Sequence, residues 1–104
     1  MNRRTELHEK LETLIDSSNV YFQPPASVQL SYPCVIYTLG TGDMKRADDS
    51  AYMYTHSYEV TFIYKRPNVD IVEQVLKTFS MSNIYRVYVT DNLNHYAFRI
   101  YYLK

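Results

Sequence analysis

The 104-residue chain has no tryptophan, one cysteine, two glycines and no net charge, with 11 Lys+Arg against 11 Asp+Glu. A single cysteine, Cys34, excludes an internal disulfide framework. Balanced charge argues against a nucleic-acid binder of the ordinary kind, which carries a basic patch and a high pI. No apolar run approaches the ~20 residues of a membrane span. The opening MNRRTELHEKLETLI has charges every few residues and no small-residue cleavage site, so it reads as a helix and not as a secretory leader. With 46% hydrophobic and 21% charged residues, the chain is expected to be globular. Its length suits one domain spanning 1–104.

What the sequence has in excess is tyrosine, 12 residues beside 4 Phe. Tyrosine is a strong strand former. It is also an apolar plate with a polar tip, enriched at interfaces. Near-zero net charge favours association over colloidal repulsion. Together these lean toward a β-rich chain that sits against copies of itself or other proteins.

Periodicity supplies the elements. Leu7, Leu11, Leu14 and Ile15 form one helical stripe, predicting a helix over Arg3–Ser17. Val20–Phe22 reads as a short extended piece halted by Pro24 and Pro25. Cys34–Leu39 reads as a strand covered in part on both faces. His56–Tyr64 alternates cleanly, with Tyr58, Val60, Phe62 and Tyr64 on one side. A second helix is predicted over Val69–Phe79, with Asn68 as N-cap and Ile71, Val72, Val75, Leu76 and Phe79 as its stripe. Tyr85–Thr90 and His95–Leu103 form a hairpin around Asp91-Asn92-Leu93-Asn94. The order α-β-β-α-β-β predicts an α+β two-layer sandwich. Its sheet is mainly antiparallel and four-stranded, with both helices on one face.

Two regions then invite a functional reading. Gly40–Thr55 reads as a long projecting loop, and loops of that length are usually functional. Its candidate contact residues are Asp43, Met44, Lys45, Arg46, Asp48, Asp49, Tyr52, Met53 and Tyr54, mixing selective charge with adaptable Met and Tyr. The second region is the sheet face away from the helices, where alternation places Tyr88, Arg99, Tyr101 and Leu103. Alternation puts Tyr85, Val87 and Val89 on the helix side. Apolar patches of this kind tend to mark interaction surfaces.

Catalytic and cofactor chemistry is not indicated. No P-loop, GxGxxG, HExxH or CxxC occurs. His8, His56 and His95 are not at metal-pair spacing with one another or with Cys34. The aspartates of 40–55 lack the spacing of a calcium loop. No catalytic residue, metal ligand or cofactor is therefore expected. Sheet aromatics beside arginine could stack single-stranded bases, which leaves a nucleic-acid-binding regulator as a remote alternative.

Read in order, several segments resemble a known family. They are the N-terminal amphipathic helix, Val20-Tyr21-Phe22-Gln23-Pro24-Pro25, Tyr32-Pro33-Cys34-Val35-Ile36-Tyr37, Tyr58-Glu59-Val60-Thr61 and Thr90-Asp91-Asn92-Leu93-Asn94-His95. This set is similar to the small tail-completion or tail-terminator proteins of long-tailed bacteriophages of Gram-positive hosts, often labelled minor capsid proteins. The resemblance implies an α+β domain without catalytic residues that forms a ring, commonly a hexamer. Such a ring caps the tail tube, stops its growth and joins the tail to the head connector, while DNA passes through the lumen. The implied partners are further copies of the chain, the tail tube protein and the connector or stopper protein. The implied location is the neck of the virion, after synthesis in the host cytoplasm. Another neck adaptor, such as a head-completion or stopper protein, is the alternative the resemblance leaves open.

Overall fold

The computed structural model describes residues 3–40, 43–47 and 51–103, with side chains described over 4–40 and 57–101. The elements run α1 (Arg3–Ile15), β1 (Val20–Phe22), β2 (Cys34–Leu39), β3 (Asp43–Ala47), β4 (Ala51–Tyr64), α2 (Asp70–Thr78), β5 (Ser82–Thr90) and β6 (Leu93–Leu103). They form a mixed α+β fold with one sheet. The strand path is β1-β2-β4-β6-β5, and β3 pairs beside the first part of β4. The expected four-stranded antiparallel sheet is thus enlarged by two strands. β1 joins β2 in parallel through Val20–Val35 and Phe22–Tyr37.

Cross-strand rows show why the helices lie on one face. Directly opposed residues share a face. One row runs Val35, Phe62, Tyr96, Val87; the next runs Tyr37, Val60, Phe98, Ile84; a third runs Leu39, Tyr58, Ile100, Ser82. Val35, Tyr37, Val60, Phe62, Phe98 and Ile100 are all fully enclosed. They share one core with Leu7, Leu11 and Ile15 of α1, Ile71 and Val75 of α2, and Phe79 at the C-cap of α2. The predicted stripe of α2 holds except at Leu76, which is exposed.

Both helix ends differ from expectation. α1 stops at Ile15 because Asp16 adopts φ 53°. The Ser17 N–H then reaches back to the Glu12 carbonyl at 3.1 Å and the Asp16 N–H to Thr13 at 3.3 Å. This is a Schellman closure, with aspartate where glycine is usual. α2 starts one residue later than predicted, and its N-cap is Val69, with no side-chain cap bond. Asn68 is instead held by its backbone: its N–H donates to the Tyr96 hydroxyl at 2.9 Å.

The largest correction concerns Gly40–Thr55. This segment is not an irregular loop. β3 and the first part of β4 pair from Asp43–Thr55 to Ala47–Ala51, which lengthens β4 to 14 residues. Asp43, Lys45 and Arg46 disguise β3, while Tyr52, Tyr54 and Thr55 are good strand formers. Leu39 pairs with Tyr58 and Asp43 with Thr55. Gly40 directly follows β2. Its N–H donates to the Ser57 carbonyl at 2.7 Å, and a Cβ there would stand 2.9 Å from Ser57 Oγ and 3.2 Å from Ser57 O.

Candidate functional site

The hairpin turn is shorter than predicted. Asp91 and Asn92 alone form it, at φ 53° and 60°, between the pair Thr90–Leu93. Asn and Asp tolerate this left-handed region. The turn fixes the register that builds the open face: Tyr88 opposite His95, Arg86 opposite Ala97, Asn83 opposite Arg99. From β4, Ile63, Thr61, Glu59 and Ser57 oppose His95, Ala97, Arg99 and Tyr101.

A β-bulge between Ile84 and Arg86 changes the content of this face. Strict alternation puts Tyr85 on the helix side. The extra residue breaks the alternation, so Tyr85 joins the open face. There the Tyr85 hydroxyl donates to Glu59 Oε1 at 3.3 Å, and the Arg99 guanidinium lies 5.5 Å from the Tyr85 ring. Burial, and then the negative Glu59, pushes the Tyr85 phenol above its ordinary ionisation range. Tyr85 remains 49% exposed.

A second cluster lies beside the first. Tyr88 stacks on His95 with ring centroids 4.6 Å apart and planes 13° from parallel. The Arg86 guanidinium sits 4.3 Å from the Tyr88 ring. His95 is nearly buried, and its Nδ1 lies 3.0 Å from the Leu93 carbonyl. Cation–π contacts and stacking hold these side chains in place. The open face thus presents ordered aromatic plates and arginines, while Ser57, Ile63, His95 and Ala97 of the same face are buried.

Of the residues expected on this face, Tyr88, Arg99 and Tyr101 lie there. Leu103 pairs with Thr55, and its side chain falls outside the described residues. Asp43, Met44, Lys45 and Arg46 lie on β3, and Tyr52, Met53 and Tyr54 on β4, opposed in the order Met44–Tyr54, Lys45–Met53, Arg46–Tyr52. Asp48 and Asp49 lie outside the described residues. The ribbon extends the sheet edge to edge with β4, so these residues project beyond the end of β6. Sequence reasoning missed Glu59, Tyr85 and Arg86. Nothing in the local pattern marks the bulge that gathers them.

Other chemistry is sparse. The buried Cys34 thiol has its ionisation pushed up to about 11 by burial, which makes it a poor nucleophile at neutral pH. His8 Nδ1 lies 2.7 Å from the Tyr37 hydroxyl, and Arg4 donates to that same oxygen at 3.4 Å. These contacts tie α1 to β2. Among the described residues, no group of three or more His, Cys, Asp or Glu could hold a metal, and no helix is long and apolar enough to cross a membrane. No protein-family model matches the chain, and no curated protein matches it.

Proposed function

We propose that the chain is a non-enzymatic structural protein of a long-tailed bacteriophage. It forms a ring, of six copies, that caps the tail tube, ends its growth and joins it to the head connector. The observation that carries this reading is the open sheet face. Both helices pack on the other side, while Tyr85, Arg86 and Arg99 are exposed and, with Tyr88, are held ready by stacking and charge. Tyr and Arg are the residue types most often found at the energetic centre of interfaces. A ring requires head-to-tail contacts that close, and an ordered face of this kind suits one side of such a contact. Equal numbers of positive and negative charges suit a conduit for DNA, because a lumen that neutralised phosphates would hold the duplex. The resemblance over most of the chain supplies the neck assignment.

The test adds purified protein to elongating tail tubes. The expected result is tubes of fixed length, each with a ring of subunits at one end. Arg99→Glu should keep the fold and lose capping. Tubes that go on elongating in the presence of the wild-type protein overturn the capping role and favour a stopper or other neck adaptor.

A further inference from the structure

Among the described residues, the outer edges of β1, β3 and β5 are unpaired, and they differ in how they resist pairing. β1 is three residues long and runs into Pro24 and Pro25, which have no N–H to give to a ladder. β3 carries Asp43, Lys45 and Arg46 in its five residues, and charge on an edge strand guards against edge-to-edge association. β5 lacks both guards. It is nine residues long, ends the strand path, and contains one charge, no proline and no glycine. Val87 and Val89, opposite Tyr96 and Asn94 on the helix side, are 59% and 66% exposed.

Hairpin geometry turns the backbone of these same valines outward. Thr90 and Leu93 close the two-residue turn, and such a closing pair exchanges hydrogen bonds. Counting back in alternation, Tyr88 and Arg86 bond toward β6. Val89 and Val87 then direct their N–H and C=O groups to the free edge. Unpaired backbone and exposed apolar side chains coincide at two residues.

We infer that β5 of the free protein pairs antiparallel with β5 of a second copy, about a two-fold axis at Tyr88. In this register Val87 opposes Val89, Arg86 opposes Thr90, and Tyr88 opposes its own copy. No like charges meet, and the bulge at Tyr85 stays outside the paired segment. Only residues on the helix side have outward backbone groups, so the two sheets join with all their helices on one side. A two-fold contact uses one patch twice. It therefore needs an unguarded edge, which β5 provides, and zero net charge lets the copies approach. One consequence rests on the ring reading above. A polar ring joins neighbours head to tail, so the two-fold pair is a stored form of the free chain that must open as the ring assembles on the tube.

Light scattering after size exclusion tests the pairing. At tens of micromolar the wild-type protein should show twice the 12.4 kDa chain mass. Val87→Lys and Val89→Lys, at exposed positions, should keep the circular dichroism of the fold and weaken association at least about tenfold. Tyr88→Cys should give a covalent dimer on mild oxidation, because a non-hydrogen-bonded antiparallel pair sets its Cα atoms about 4.5 Å apart, within disulfide reach. Lys77→Cys, exposed on α2, should not. Three results overturn the inference: a single-chain mass for the wild type, a doubled mass that both lysine variants retain, or no cross-link from Tyr88→Cys. A six-fold mass for the free chain also overturns it while favouring the ring, and tube capping is scored separately from all of these.

Discussion

The two faces of the sheet are made of the same strands, yet both helices cover one and neither covers the other. On the closed face, Tyr37 and Tyr58 sit with ring centroids 6.0 Å apart and Phe62 and Phe98 5.6 Å apart, under two helices. On the open face, Tyr85 and Tyr88 meet arginine, glutamate and histidine in place of a helix. The difference shows that tyrosine serves two physical purposes in this chain. Under the helices it is volume with a hydrogen-bonded tip; on the open face it is a plate kept in position by charge. Substitutions on the first should cost folding, and those on the second should cost association.

The largest effect is expected from Phe98→Ala. It removes a fully enclosed ring from the centre of the closed face and should lower stability by about 3–5 kcal/mol, read as a shift in the urea midpoint. Gly40→Ala should cost about 1–3 kcal/mol, because the new methyl meets Ser57 just past the end of β2. On the open face, Arg99→Glu should change the urea midpoint by less than about 1 kcal/mol while abolishing tube capping. If Arg99→Glu unfolds the chain, or Phe98→Ala leaves stability intact, the division between the faces fails.

Alkaline pH sharpens the same contrast. The Cys34 thiol, pushed from 9.0 to about 11 by burial, keeps its proton longer in the folded than in the unfolded chain. Its stabilising contribution is complete below pH 9 and is lost as pH rises toward 11. Burial also raises Tyr37 and Tyr58 above 10, with the same sign. Urea melts at pH 8 and pH 10.5 should show this loss, and Cys34→Ala should reduce it. The smallest effect is expected at the turn. Asn92→Gly relieves a φ of 60° and should add a few tenths of a kcal/mol by the same melts.

Much of this arrangement is legible in the residues. The stripe Leu7, Leu11, Ile15 and the alternation through Tyr58, Val60 and Phe62 are long and regular, and each predicts its element. The turn at Asp91 and Asn92 is marked by residues that tolerate positive φ. Less is visible where a single residue shifts the frame. The bulge at Tyr85 resets the alternation, so Tyr85 reads as core. β3 also hides because three of its five residues are charged, a composition that local propensity assigns to coil. The stacking of Arg86, Tyr88 and His95 depends on register across two strands, which no single segment encodes.

The length of β4 bears on how the chain reaches this state. β4 alone pairs with three others, β2, β3 and β6. The ribbon with β3 and the β5–β6 hairpin close over short loops and can form within microseconds. Joining β4 to β6 brings together residues such as Val60 and Phe98, with α2 in between. Contacts of that separation slow folding. Stopped-flow refolding should therefore show a rate set by the β4–β6 seam: Phe62→Leu should slow folding, whereas changes at β1 such as Val20→Ala should act mainly on unfolding.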